Sequence, residues 1–199
     1  EKVREAEAYP ILKIKLGGGN DEEIIRAVRR ITRKPLRVDA NEGWKIKEQA
    51  VEKIKWLEQE GVEFVEQPMP ASDLDGTAWT RERVSMPLIA DENSLRLHDV
   101  PRLQGVFDGI NIKLMKCTGL REALRMIHAA KACGLKVMMG CMIESSVAIS
   151  AAAQLSPLID FADLDGNVLI TNDPFDGVRS LDGSLTLSDR PGIGVEELN

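Results

Sequence analysis

The chain has 199 residues, 43% hydrophobic and 29% charged, with a net charge of −6. That length suffices for one domain with a sizeable core, or for most of a larger one, and the acidic balance argues against the basic surface that a nucleic-acid binder needs. No apolar run approaches the roughly 20 residues that cross a bilayer, no stretch has the form of a signal peptide, and Cys117, Cys133 and Cys141 are neither even in number nor in ligand spacing, so the expected setting is reduced and cytoplasmic.

The opening EKVREAEAYP reads as the last turns of a helix already under way, and the chain as a piece of a longer polypeptide. Next, YPILKIKLGGG is a short strand running into a glycine turn. Ile11, Leu12, Ile14 and Leu16 suit a strand buried on both faces. Lys13 and Lys15, at alternate positions, point the same way, into whatever that face covers. Burying an ammonium is costly unless its charge is paired or used. LGGGN matches neither phosphate-binding glycine pattern and reads as a tight turn. DEEIIRAVRRI carries Ile24, Ile25, Val28 and Ile31 at helical period. LRVDAN is a strand, KEQAVEKIKWLEQEG a helix closed by Gly61, and EFVEQP a strand ended by Pro68. A weaker helix around TAWTRERV leads to the strand PLIADE, and a short helix near RLHDVPRL to GINIKL. REALRMIHAAKACG is helical, KVMMGC a strand, SSVAISAAAQL a small-residue helix and DFADLD the final strand.

Strands alternating with helices imply parallel βαβ units with right-handed crossovers. An eight-stranded barrel takes about 250 residues. The expectation is therefore an α/β, TIM-type barrel over residues 1–170 that lacks its first strand. A doubly wound open sheet is the alternative, without its phosphate fingerprint. Residues 171–199, rich in turn formers, are expected to return as hairpin-like structure.

In such a barrel the chemistry sits at the C-terminal strand ends, and these ends carry charge: Lys13 and Lys15, then Asp39, Glu66, Asp91, Lys113, and Asp163 with Asp165 sharing a face of the last strand. Asp39, Glu66 and Asp91, from three adjacent strands, form the all-oxygen set that a hard divalent cation such as Mg²⁺ takes. The alternative is an ion-pair network with Lys13, Lys15 and Lys113. Lys15 and Lys113 fall on opposite sides of that cation. A lysine beside a divalent cation or a second ammonium gives up its proton more readily and can act as a base. Two of them across a bound carboxylate suit removal of the α-proton from one face and its return on the other, with the cation stabilising the enediolate.

Other residues have blander readings. His98 and His128 read as solvated or packed histidines, Trp44 and Trp56 as packing between helix and loop, and Lys116 as a loop charge. Cys141 lines the pocket without an identifiable base. Met138, Met139 and Met142 read as barrel filling, with Met142 also a substrate contact.

Taken together, LKIKLG, RVDANEGW, FVEQP, IADENS, NIKLMKCTG, GCMIES and DLDG resemble the enolase superfamily, and within it the muconate-lactonizing subgroup and its dipeptide epimerases of the L-Ala-D/L-Glu type. These motifs cover essentially the whole chain. The resemblance implies a modified (β/α)7β barrel capped by an α+β domain, with the cap and first strand outside this sequence. It implies Lys15 and Lys113 as acid/base residues, Asp39, Glu66 and Asp91 as Mg²⁺ ligands, and Lys13 as an auxiliary lysine that meets the substrate carboxylate. Asp163 and Asp165 match the DxD that holds the substrate's α-ammonium. Asn93, Thr118 and Glu42 stand where the family usually has serine, glycine and glutamine, and none of these changes removes a catalytic group. The expected activity is Mg²⁺-dependent dipeptide epimerisation by 1,1-proton transfer. The alternatives are an o-succinylbenzoate synthase, N-acylamino-acid racemase or cycloisomerase on the same barrel, and, from another class, a non-catalytic anion-binding barrel. The expected partner is a small dipeptide, with a homo-oligomer left open and neither nucleic acid nor membrane involved.

Overall fold

The computed structural model describes residues 1–198. The chain forms two compact units, one of Glu1–Asn93 with Arg102–Gly109, the other of Ser94–Pro101 with the residues from Ile110 onward. In the first unit α1 (Lys2–Glu5) precedes β1 (Leu12–Lys15), α2 (Asp21–Arg29), β2 (Leu36–Asp39), α3 (Lys47–Gln59), β3 (Val62–Glu66), α4 (Leu74–Arg81) and β4 (Leu88–Ala90). The four strands are parallel neighbours in chain order. Leu36, Val38, Phe64, Val65, Leu88 and Ile89 are fully buried, as are Ile25 and Ile54 from the covering helices. Burying each such side chain is worth about 1.5–3 kcal/mol, and this is the core that holds the strand ends in place.

The second unit contains β5 (Gly109–Lys113) from its second residue on, α5 (Leu114–Cys117), α6 (Leu120–Ala132), β6 (Lys136–Gly140), α7 (Ser146–Ala153) and β7 (Phe161–Ala162). Its strands also follow chain order, and β6 pairs β7 in parallel. Beyond them, β8 (Phe175–Asp176) pairs antiparallel with β11 (Glu196–Glu197), and β9 (Arg179–Leu181) with β10 (Ser184–Thr186). This C-terminal segment thus forms two short antiparallel pairs. It is strapped to α7, where Asp173 Oδ2 accepts from the Ser146 N–H at 2.6 Å and Ser150 Oγ accepts from the Val178 N–H at 2.7 Å.

Three elements differ from their sequence-based outlines. The helix outlined at TAWTRERV begins at Leu74 instead, because the Asp73 side chain accepts from the Gly76 N–H at 2.9 Å and caps it. The segment Leu97–Leu103 is a 3₁₀-helix with Pro101 inside it; a proline lacks the N–H that an α-helix would need there. The last strand is only two residues long, so Asp163 and Asp165 do not share a strand face. Asp163 still donates its N–H to Met139 O at 2.9 Å. Asp165, however, has φ −103° and ψ 6° and opens a 3₁₀ turn over Gly166–Leu169. Gly166 sets that turn, since a Cβ there would collide with Met142 O. Among the described residues no helix is long and apolar enough to cross a membrane.

The glycine turn after β1 is held by a buried carboxylate. Asp21 is 3% exposed. It accepts from the Gly17 N–H, Trp44 Nε1 and Lys53 Nζ, each at 2.8 Å. Gly17, at φ +95°, lies so close to Ala40 O that no side chain fits. Burial alone pushes the Asp21 carboxyl up, but the Lys53, Trp44 and Gly17 bonds outweigh it and leave it below its ordinary value. A carboxylate depressed in the folded state stabilises above the unfolded value of about 3.9, and that stability is lost as pH falls through the folded value. We expect Asp21→Asn to lower the thermal midpoint at pH 7, with the difference from the parent shrinking below about pH 4. A gap that stays constant from pH 7 to pH 3 would contradict this account.

Candidate active site

Strand register brings the charged residues of the first unit to one level. Lys15 pairs with Asp39 across β1 and β2, Asp39 with Glu66 across β2 and β3, and Glu66 with Ile89 across β3 and β4, two residues before Asp91. Asp39 and Asp91 are 1% exposed and Glu66 is 0%. Three carboxylates sunk this deeply would be very costly without counter-charge. Lys13 and Lys15 supply part of it. Lys13 Nζ lies 2.7 Å from Glu66 Oε2 and 3.6 Å from Asp39 Oδ2. Lys15 Nζ lies 3.3 Å from Asp39 Oδ2 and donates to Asn41 Oδ1 at 2.9 Å. The face toward which both lysines of the first strand point is therefore a carboxylate cluster.

The carboxylates also act on one another. Burial is the largest cause pushing the Glu66 carboxyl up; Lys13 opposes it, while the charges of Asp39 and Asp91 add to it, and the net direction is upward. Among the described residues no three His, Cys, Asp or Glu side chains are already gathered around a common metal position. In this arrangement the Lys13 ammonium bridges two of the three carboxylates. The donor set nevertheless fits a hard divalent ion: all ligand atoms are carboxylate oxygens, and their mutual repulsion is what such an ion would relieve.

The backbone around the cluster is unusual. Asn41, Glu42 and Gln67, which follow Asp39 and Glu66, have φ of 43°, 63° and 37°. Non-glycine residues adopt this region rarely, and it tends to occur at functional sites where surrounding bonds impose it. Gln67 is fully buried, and its side chain reaches Asp91 and Asn93. Charge at a strand end does not single it out, because an amide carries none. The available signal was its place between Glu66 and Pro68, at the mouth end of a strand.

In the second unit Lys113 is buried at the end of β5, with the fully buried Asn111 two residues before it. Asp163 is half-buried and Asp165 exposed. Met138 and Met139 are fully buried core, whereas Met142 is 48% exposed and no part of the filling. Burial pushes the Cys141 thiol up to about 11, so it stays protonated at neutral pH and is no nucleophile. His98 and His128 are both exposed. Trp44 is buried against Asp21.

Residues 1–197 match the family model described as enolase C-terminal domain-like. The L-Ala-D/L-Glu epimerase of Bacteroides thetaiotaomicron is 54% identical over 190 residues, which is 96% of this chain and 50% of that protein. The crystal structure of a dipeptide epimerase from Enterococcus faecalis V583, complexed with Mg and the dipeptide L-Leu-L-Tyr, is 34% identical with a TM-score of 0.90, covering 98% of this chain and 60% of that one. An N-succinyl Arg/Lys racemase from Bacillus cereus is 31% identical with a TM-score of 0.91, covering 98% of this chain and 56% of that one. The chain spans about half the length of the curated relatives it matches. Its parallel α/β run of seven strands, its level of lysines and carboxylates and these matches together make it a member of the enolase C-terminal domain-like family.

Proposed function

We propose that this chain carries the catalytic groups of a Mg²⁺-dependent dipeptide epimerase, which inverts an α-carbon by two-base 1,1-proton transfer. On this reading residues 1–170 are strands two to eight of a modified (β/α)7β barrel, and residues 171–199 pack toward a capping domain. The observation that carries it is the alignment of Lys15, Asp39 and Glu66 at one strand-end level, with Asp91 acting on the same cluster. The Mg²⁺ and dipeptide in the Enterococcus relative support the same assignment.

Asp39, Glu66 and Asp91 would hold the ion, and a bound Mg²⁺ would supply the positive charge that acidifies the α-proton of a carboxylate substrate. Lys13 faces the substrate carboxylate. Lys15 Nζ and Lys113 Nζ serve opposite faces of the α-carbon: the neutral one takes the proton, the protonated one returns one, and exchange with solvent then removes the proton from the first and restores it to the second. Asn41 and Asp39 aim the Lys15 ammonium. Asp163 and Asp165 receive the free α-ammonium, and Met142 touches the substrate at the rim.

The second reading is racemisation of an N-acylamino acid. It draws on the likeness to the N-succinyl Arg/Lys racemase and on Asp165, which is exposed and off the strand. The test is α-proton exchange in deuterated water by the full-length protein with Mg²⁺, offered L-Ala-L-Glu or N-succinyl-L-arginine. Exchange with epimerisation of the free dipeptide is expected. Exchange of the N-succinyl substrate alone would move the assignment to the racemase branch, and exchange of neither would favour a non-catalytic barrel.

A further inference from the structure

A closed ring of hydrogen bonds ties the loops that follow β2, β3 and β4. The Glu42 N–H donates to Gln67 O at 2.9 Å. Glu42 Oε1 accepts from the Ala71 N–H at 2.7 Å. Ala71 O accepts from Asn93 Nδ2 at 2.8 Å. Asn93 Oδ1 accepts from Gln67 Nε2 at 2.7 Å, which closes the ring.

Gln67 is its most heavily used member. Nε2 also donates to Met69 O at 3.0 Å, and Oε1 accepts the Asp91 N–H at 2.9 Å. Its own N–H donates to Ile89 O at 2.9 Å. Both amide hydrogens and the amide oxygen are engaged, and turning the amide over would set donor against donor at Asp91. These bonds hold the residue at φ +37°, a conformation that a glutamine adopts only when its surroundings impose it. Glu66 precedes this residue directly, and Asp91 hangs from its side chain. One residue thus joins the main chain at Glu66, its neighbour in sequence, to the main-chain N–H of Asp91 through its side-chain amide.

We infer that Gln67 is a positioning residue: its side-chain amide sets where the Asp91 carboxylate stands relative to Glu66, and so tunes the affinity of the site for a divalent cation. The inference rests on the metal reading given above. Gln67 is not among the residues assigned to the ion or the substrate; its amide is engaged with Met69, Asn93 and Asp91.

The experiment uses the full-length protein and Gln67→Met, which keeps length and burial but removes the amide. Two quantities are read: calorimetric binding of Mg²⁺ alone, and hydrogen exchange of the Asp91 amide in chelator. We expect Mg²⁺ affinity to fall about tenfold or more, the worth of the one bond to Asp91 among the three that the variant removes. The Asp91 amide should exchange at least roughly tenfold faster by the same reasoning, with the core amide of Ile54 unchanged. Unchanged exchange at Asp91 would overturn the inference, and so would faster exchange with unchanged Mg²⁺ affinity, since the bond would then be structural only. If Gln67→Met does not fold, Asn93→Ala removes the partner of Nε2 and is read in the same way: weaker Mg²⁺ binding supports the inference and unchanged binding overturns it. A parent protein that binds no Mg²⁺ overturns the metal reading itself, and this result is seen before any variant is made.

Discussion

Replacing Lys15 with alanine in the full-length protein should abolish epimerisation while leaving the fold intact, and Lys113→Ala should do the same to epimerisation. The Lys15 side chain is 71% exposed and its bonds are to Asp39 and Asn41, so no core contact is lost. A positioned general acid or base contributes about 10²–10⁴-fold, and a two-base inversion needs both. Each single variant should still exchange the α-proton of one epimer, the one whose face the remaining lysine serves. Lys15→Arg sharpens the test: it keeps the positive charge, but a guanidinium does not deprotonate in proteins. We expect it to be as inactive as the alanine variant. An active arginine variant would show that Lys15 supplies charge alone, and exchange of both epimers at the parental rate in both alanine variants would end the two-base assignment.

Asp39→Asn, Glu66→Gln and Asp91→Asn should each weaken Mg²⁺ binding and lose activity together. One charge-assisted contact is worth about 1.5–3 kcal/mol, or roughly ten- to 150-fold in affinity. Glu66→Gln carries an additional expectation. Its carboxyl is raised mainly by burial, with Lys13 opposing and Asp39 and Asp91 adding. An acid raised in the folded state is a liability at neutral pH that disappears once pH falls below its unfolded value of about 4.3. In chelator at pH 7 the glutamine variant should therefore melt at or above the parental midpoint, even as it loses its Mg²⁺. A clear drop in midpoint would show that the Lys13 pair outweighs the burial cost. Activity of any of the three variants in excess chelator would remove the metal role.

The parts of the fold legible in the sequence were those governed by short-range periodicity. Short runs such as LRVDAN and GINIKL, separated by amphipathic helices, became β2 and β5, because their apolar residues, Leu36, Val38, Ile110 and Ile112, are the ones that a covered strand buries. Charge at such a strand's end is expensive without a purpose, and this is why Lys13, Lys15, Asp39, Glu66 and Asp91 stood out. The structure joins them through register.

What the sequence by itself determined, then, was the order of strands and helices and the identity of the charged residues at their ends. Both follow from the cost of placing a side chain in or out of water, which each position carries with it. The tertiary structure decided the rest. Lys13 bridges Glu66 and Asp39, although its neighbour across the ladder is Arg37. Asp165 left the strand because Gly166 must turn beneath Met142 O, a contact from another segment. Gln67 acquired its role from Asn93 and Asp91, 26 and 24 residues away. A hydrogen bond is directional and short-ranged, so an uncharged amide shows nothing of its partners until the loops that carry them have met.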